Sequence, residues 1–125
     1  MEYIKLQNYL IKEYRIVHNP ESSCWKRTHA HVDGSRKICK HQIKESYDSL
    51  FLLLHEIGHI ETDVKGMKRC EMESEATTWC INQMKQLGLP IKRKQILKYK
   101  KYIRMTYERG MRRGLTKRIK TKLYM

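Results

Sequence analysis

Two histidines and a glutamate stand at His55, Glu56 and His59 in the spacing His-Glu-x-x-His. Residues four positions apart lie on the same face of an α-helix, so His55 and His59 can direct two imidazoles at one metal ion. Glu56 is one position further round, where its carboxylate can reach a water molecule on that metal. Hydrolytic zinc sites hold the metal with nitrogen and oxygen ligands and leave one position to water. The spacing therefore predicts a zinc site with His55 and His59 as ligands and Glu56 as the catalytic base.

Acidic residues that follow the motif are the candidates for a third ligand. Glu71 and Glu75 share one face of the next predicted helix, and Glu73 lies on roughly the opposite face. Asp63 is one turn beyond His59 on the motif's own helix. The residues alone leave this choice open. Carboxylates that do not bind the metal are accounted for by the favourable dipole at the start of a helix.

Four helices are predicted around the motif from hydrophobic periodicity and terminal signals. They cover approximately residues 2–15, 45–62 (with residue 45 or 46 as the start), 70–87 and 92–109. Gly88 is predicted to cap the third helix in a left-handed conformation, since Pro90 prevents the helix from continuing.

A β-hairpin is predicted before the motif helix. Residues 24–32 and 35–40 are the two strands, joined by the turn-forming pair Asp33-Gly34. Two strands alone are marginally stable, so the hairpin is expected to pack beside the helix that carries the motif. Its edge would then be available to pair with an extended substrate. His29 and His31 share a face of the first strand, but no carboxylate accompanies them, which favours polar strand residues over a rival ligand pair.

The charge of the chain is concentrated at one end. The net charge of the 125 residues is +14, and residues 92–122 hold 14 Lys or Arg against the single acid Glu108. The chain is expected to form one domain, with a core over residues 1–91 and a basic C-terminal helix and tail over 92–125. We find no apolar run long enough for a membrane span and no secretory signal, which favours a cytoplasmic protein without a membrane partner. The four cysteines contain no Cys-x-x-Cys pair, so reduced thiols are expected.

The basic segment gives an alternative function, a nucleic-acid-binding protein whose metal site is structural or vestigial. Tyr99, Tyr102 and Tyr107 are interleaved with basic residues and could stack on bases while the cations contact phosphates. The basic residues proposed for this role are Lys98, Lys101, Arg104, Arg112 and Arg113. A solvated basic helix facing an acidic partner explains the same pattern.

Two segments resemble the ImmA/IrrE family of bacterial and phage zinc metallopeptidases. The first is Leu54-His55-Glu56-Ile57-Gly58-His59, and the second is Glu73-Ser74-Glu75-Ala76-Thr77-Thr78-Trp79-Cys80. The family has Glu-x-x-Ala-Asn-x-Phe-Ala on the helix after the motif, and its first Glu is the third zinc ligand. By position that residue is Glu73, with Glu75 as the alternative. The likeness covers about residues 25–90, although Thr77 replaces the family's Asn and Trp79-Cys80 replaces its Phe-Ala.

This resemblance implies a fold, a cofactor and a substrate class. The expected fold class is α+β: a small, mostly helical zincin-like metallopeptidase domain with a β-hairpin packed beside the motif helix. The expected function is zinc-dependent endopeptidase cleavage of a regulatory protein, such as a helix-turn-helix repressor, in a bacterial host cell. The resemblance is to small members encoded by phages or other mobile elements. An oxyanion donor is also expected, with Tyr99, Tyr102, His29 and His31 as candidates.

Overall fold

The computed structural model describes residues 2–19, 36–39, 41–62 and 68–113. The chain divides into two compact units, Met1–Ile60 and Glu61–Met125. Regular structure within the described residues comprises the helices α1 (Tyr3–Glu13), α2 (Tyr47–Glu61), α3 (Arg69–Gln86) and α4 (Arg93–Arg112), and the strands β1 (Ile16–Asn19) and β2 (Arg36–Cys39). The four predicted helices are confirmed, with ends that differ from the predicted ones by no more than three residues.

The predicted fold class, α+β with a β-hairpin beside the motif helix, is wrong. β2 pairs with β1 in parallel, with Ile16 opposite Arg36 and Asn19 opposite Cys39, whereas the strands of a hairpin are antiparallel. The described residues therefore contain no hairpin, and their architecture is small and mostly helical. The Asp-Gly signal predicts a turn only between neighbouring segments. β2 instead pairs with β1, the strand that follows α1. The predicted first strand, residues 24–32, and the turn at 33–34 lie outside the described residues.

Helix α1 receives its N-terminal cap from a residue far along the chain. Its own N-cap residue, Glu2, makes no side-chain cap hydrogen bond. Instead, the backbone N–H groups of Tyr3 and Ile4 donate to the two carboxylate oxygens of Glu45, at 2.7 and 3.3 Å. A negative charge at this position also complements the positive end of the helix dipole. Glu45 therefore ties the start of α1 to the segment that leads into α2.

Helix α2 begins at a serine cap and is apolar on almost every side. Ser46 Oγ accepts a hydrogen bond from the Ser49 backbone N–H at 3.2 Å, which satisfies one of the unpaired donors at the helix start. The apolar side chains with no exposed surface are Leu50, Phe51, Leu53, Leu54 and Ile57. A helix that is apolar all round is a buried helix. The two histidines buried among these residues, His55 and His59, are therefore held in an environment with little water.

In the second unit, α3 packs against α4 after a glycine-capped turn. Gly88 has a φ of +70°, which confirms the predicted left-handed cap. Leu89 N–H donates to the Met84 carbonyl at 2.9 Å and Gly88 N–H donates to the Lys85 carbonyl at 3.1 Å. These two bonds form a Schellman motif, which satisfies carbonyl groups that the end of the helix leaves without partners. The buried apolar side chains of this unit are Cys70, Ala76, Cys80, Ile81, Met84, Tyr99 and Ile103.

A membrane-spanning helix would need a long apolar stretch. Within the described ranges, none of the helices combines the length and the hydropathy required to cross a bilayer.

Candidate metal centre

The two motif histidines lie close together on the buried helix α2. His55 is 3% exposed and His59 is 7% exposed. Their rings are nearly perpendicular, at 85°, with 4.7 Å between centroids, and their Nε2 atoms are 3.1 Å apart. Two nitrogen ligands of tetrahedral zinc, each about 2.05 Å from the metal, are about 3.3 Å apart. The spacing of the imidazole pair therefore fits two ligands of one metal ion.

Glu73 is the acid that the structure groups with the two histidines. One ligand atom from each of His55, His59 and Glu73 lies within 4.8 Å of the other two, and all three residues are buried. Within the described residues this is the one group of three or more His, Cys, Asp or Glu side chains with such an arrangement. This histidine–glutamate cluster (His55, His59 and Glu73) could bind a metal ion.

The other candidate acids have different positions. Glu71 Oε1 accepts a hydrogen bond from the Lys68 backbone N–H at 3.2 Å, so Glu71 helps to cap α3. Glu75 is half-buried and does not belong to the histidine–glutamate cluster. Asp63 lies outside the described residues.

Two residues of α3 contact Glu73, one at its carboxylate and one at its backbone carbonyl. Arg69 lies one turn earlier on α3, and its Nε is 3.7 Å from Glu73 Oε2. Arg69 Nη2 also donates to the Tyr102 hydroxyl at 3.1 Å, which links α3 to α4. Thr77 Oγ1 donates to the Glu73 backbone carbonyl at 2.8 Å. The contacts of Arg69 and Thr77 with Glu73 were not predicted from the sequence, although the four-residue spacing of Arg69 and Glu73 is a recognisable helical pair.

Glu56 differs from its neighbour His55 in exposure. His55 is buried, whereas Glu56 is half-buried, so part of the Glu56 residue is in contact with solvent. A group that exchanges protons during hydrolysis needs such access, while the ligands themselves are best held rigidly in the protein. The difference in exposure is consistent with separate roles for the two residues.

The structure restricts the candidate oxyanion donors. Tyr99 is 7% exposed and lies on the buried side of α4. The Tyr102 hydroxyl accepts the hydrogen bond from Arg69. His29 and His31 lie outside the described residues. The side chain of Tyr102 is therefore the candidate that the structure connects to the histidine–glutamate cluster, through Arg69.

The basic residues proposed for nucleic-acid binding are all exposed: Lys98, Lys101, Arg104, Arg112 and Arg113. The aromatic side chains that were expected to stack on bases are not equally accessible. Tyr99 is buried, and Tyr102 and Tyr107 are half-buried. Because base stacking requires an open aromatic face, Tyr99 cannot serve this role in the observed conformation.

A second buried polar cluster, the Gln7 cluster (Gln7, His41 and Ser49), was not predicted from the sequence. Gln7 has no exposed surface. Its Oε1 accepts a hydrogen bond from His41 Nε2 at 2.8 Å. Ser49 Oγ is 2.9 Å from the same oxygen and shares its single hydroxyl hydrogen between Gln7 and the Gln42 carbonyl, which is 3.0 Å away. Gln7 Nε2 donates to the Tyr3 and Lys44 carbonyls at 3.2 and 2.9 Å. The amide group of Gln7 therefore has partners for both its oxygen and its nitrogen within hydrogen-bond distance, which indicates a structural role.

Two buried thiols lie on α3, Cys70 and Cys80. Burial raises the pKa of the Cys80 thiol far above its ordinary value, and it also raises the pKa of Cys70. Both thiols therefore stay protonated near neutral pH. Reactivity of the kind that needs a thiolate is not expected of either one.

Comparisons of the chain with protein-family models, curated proteins and solved structures found no match. The chemistry assigned to this centre consequently depends on the geometry of its own residues.

Proposed function

We propose that this protein is a zinc-dependent endopeptidase with its site at His55, Glu56, His59 and Glu73. The observation that carries the proposal is the buried histidine pair, whose Nε2 atoms are 3.1 Å apart and which Glu73 joins within 4.8 Å. Two imidazoles and one carboxylate form a known ligand set of catalytic zinc, which keeps one coordination position open. The His-Glu-x-x-His spacing adds a carboxylate that is not part of this set.

Each residue has a separate task in the proposed reaction. His55, His59 and Glu73 would hold the metal, and zinc when bound supplies a Lewis acid that makes water more acidic and polarises a carbonyl. Glu56 accepts the proton of the attacking water and then donates it to the leaving amine, so that the peptide bond breaks with no net change in charge. Arg69 fixes the carboxylate of Glu73 through the contact at 3.7 Å.

The proposed substrate is a regulatory protein of a bacterium or phage, such as a helix-turn-helix repressor. This part of the proposal is supported by the resemblance of the two segments at residues 54–59 and 73–80 to the ImmA/IrrE metallopeptidases.

The metal-binding part of the proposal is tested by measuring zinc in purified protein by mass spectrometry. We expect one zinc per chain in the wild type and in Glu56→Gln, and a large loss in His59→Gln and Glu73→Gln. Glu75→Gln is the matched control on α3 and should retain the metal. An absence of zinc from the wild type, or full zinc in both ligand variants, would overturn the proposal.

The catalytic part is tested on a library of peptides from digested bacterial protein, with cleavage sites identified by mass spectrometry. Glu56→Gln should reduce cleavage by roughly 10²- to 10⁴-fold, the usual contribution of a general base, while its zinc content stays at the wild-type value. Equal cleavage by the wild type and Glu56→Gln would contradict the assigned role of Glu56. Loss of cleavage together with loss of zinc in that variant would show that Glu56 is structural.

A further inference from the structure

The outward face of α4 exposes apolar side chains among its charges. Large apolar residues are conspicuous when exposed, and three on this helix are about half exposed: Leu97 at 53%, Met105 at 45% and Met111 at 49%. Eight Lys or Arg and one acid, Glu108, occur between Arg93 and Arg112. Solubility accounts for the charges. Single exposed apolar side chains are common on protein surfaces, but these three recur along one face of α4.

The exposed face contains a groove, here called the α4 groove. Its lining residues are Leu97, Lys100, Lys101, Arg104, Met105 and Glu108. Leu97, Lys100, Lys101 and Arg104 have the spacing i, i+3, i+4 and i+7, and the same spacing recurs four residues later with Lys101, Arg104, Met105 and Glu108. Four residues with this spacing form the hole that accepts one side chain of a facing helix. The groove therefore has the layout of two consecutive holes.

The apolar and basic side chains that line the α4 groove indicate which kind of partner it can bind. Leu97 and Met105 supply apolar surface, and methionine adapts easily to different partners. Lys101 and Arg104 are exposed and make no ion pair with another described residue. We propose that the α4 groove docks an acidic amphipathic helix of a protein partner. The partner's apolar side chains would enter the two holes, and its Asp or Glu side chains would flank Lys101 and Arg104.

A second copy of this chain does not meet these requirements. The α4 groove carries three basic residues, Lys100, Lys101 and Arg104, against Glu108 alone. Two such faces in contact would oppose like charges, which destabilises association.

Nucleic acid is also a poorer match than an acidic helix. Phosphates would pair with the cations, but they offer nothing apolar to Leu97 and Met105. Tyr99 is buried and not available to stack on a base. The α4 groove contains none of the four residues assigned to the proposed peptidase, so this inference does not depend on that function.

The proposal is tested with a display library of random 16-residue peptides selected on the full chain. Enriched peptides should carry Asp or Glu together with apolar residues at positions three and four apart. Binding of a synthetic consensus peptide is then measured by fluorescence anisotropy. Lys101→Glu/Arg104→Glu should weaken binding by at least tenfold, and Leu97→Asn by about tenfold, equivalent to about 1.4 kcal/mol.

A matched control changes the same charge outside the groove. Lys98 and Arg109 are exposed on α4 but do not line the groove, so Lys98→Glu/Arg109→Glu should change peptide binding by less than about threefold. Circular dichroism verifies that all variants fold. The proposal is overturned if no acidic peptides are enriched, or if both charge-reversal variants lose equal affinity for the peptide. It is also overturned if Lys101→Glu/Arg104→Glu weakens binding of a 16-base-pair DNA duplex but leaves peptide binding unchanged.

Discussion

The histidine–glutamate cluster and the Gln7 cluster both bury histidine in a helical protein, but their hydrogen-bonding capacities differ. In the Gln7 cluster, the amide oxygen meets two donors and the amide nitrogen meets two carbonyls. In the histidine–glutamate cluster, two imidazole nitrogens and a carboxylate oxygen converge, and all three atoms can offer lone pairs. Donors and acceptors that are paired with each other stabilise a fold without a bound ion, whereas converging lone pairs attract a cation. Burial alone does not separate these two cases.

The largest expected effect is an increase in the free energy of unfolding when zinc is added, which should depend on the histidine–glutamate cluster and not on the Gln7 cluster. Ligand that binds only the folded state stabilises it, by about 4 kcal/mol when free zinc is 1,000 times the dissociation constant. Urea unfolding with and without zinc should show this increase in the wild type and in Gln7→Ala, but not in His59→Gln. An equal increase in His59→Gln would place zinc binding elsewhere and remove the distinction between the clusters.

Removal of the Gln7 side chain tests the structural cluster. Gln7→Ala removes the buried acceptor of His41 Nε2, at a cost of about 1–3 kcal/mol, and it also removes the packing of a buried side chain. Ser49 Oγ and the Lys44 carbonyl keep other partners, the Gln42 carbonyl and the Ser46 backbone N–H. We expect the free energy of unfolding to fall by about 3 kcal/mol at equal zinc concentrations. Asn8→Ala, on the exposed side of the same helix, is the control and should change it by less than about 0.5 kcal/mol. Similar losses in both variants would show that the hydrogen bonds of Gln7 are not decisive.

Arg69 offers a change that affects the metal more than the fold. Its side chain is 64% exposed, so Arg69→Met should alter stability in chelator by less than about 1 kcal/mol. Loss of the group that orients a ligand typically weakens metal binding by about 10- to 100-fold, and we expect a value near tenfold by competition with a coloured chelator. Arg69→Lys should recover part of this loss, and Arg93→Met on α4 should cause none. Unchanged affinity in Arg69→Met would remove Arg69 from the site.

The smallest effect concerns Cys80, which lies seven residues after Glu73 and therefore on the same side of α3. Burial raises the pKa of the folded thiol above the value of 9.0 expected in the unfolded chain. Stability due to this group is therefore complete below pH 9 and is lost as the unfolded thiol ionises at higher pH. Between pH 8 and pH 10, the wild type should lose about 1 kcal/mol more than Cys80→Ala. Identical pH profiles would show that burial does not raise the pKa of the Cys80 thiol.

Local signals in the sequence predicted most of the helical structure. The apolar pattern and the serine before α2 lead to a helix over Tyr47–Glu61, and Gly88 with Pro90 leads to the end of α3. Caps and periodicity act within a few residues, so they can be recognised without knowledge of the fold. The pair His55 and His59 is predictable for the same reason, because four-residue spacing fixes which helix face both residues share.

Long-range contacts explain what the sequence did not predict. β2 pairs in parallel with β1 across the 16 residues at 20–35, and nothing in the Asp-Gly signal indicates that partner. Glu45 caps a helix that begins 42 residues earlier, and no sequence pattern near α1 indicates that Glu45 is its cap. The choice of Glu73 or Glu75 as the third ligand could not be made from the sequence for the same reason, because it depends on long-range contacts. Helical periodicity places them on different faces, but only the packing of α3 decides which face is buried.

The dependence of α1 on distant partners also predicts how this part of the molecule opens. An isolated helix of 11 residues is too short to persist in water. The hydrogen bonds of Gln7 and Glu45 connect α1 to residues that are between 34 and 42 positions later in the chain. Transient breakage of those bonds should release α1 and the segment at 41–49 together. In native-state hydrogen exchange, the amides of α1 would then share one opening free energy and respond together to denaturant, as a single cooperative unit.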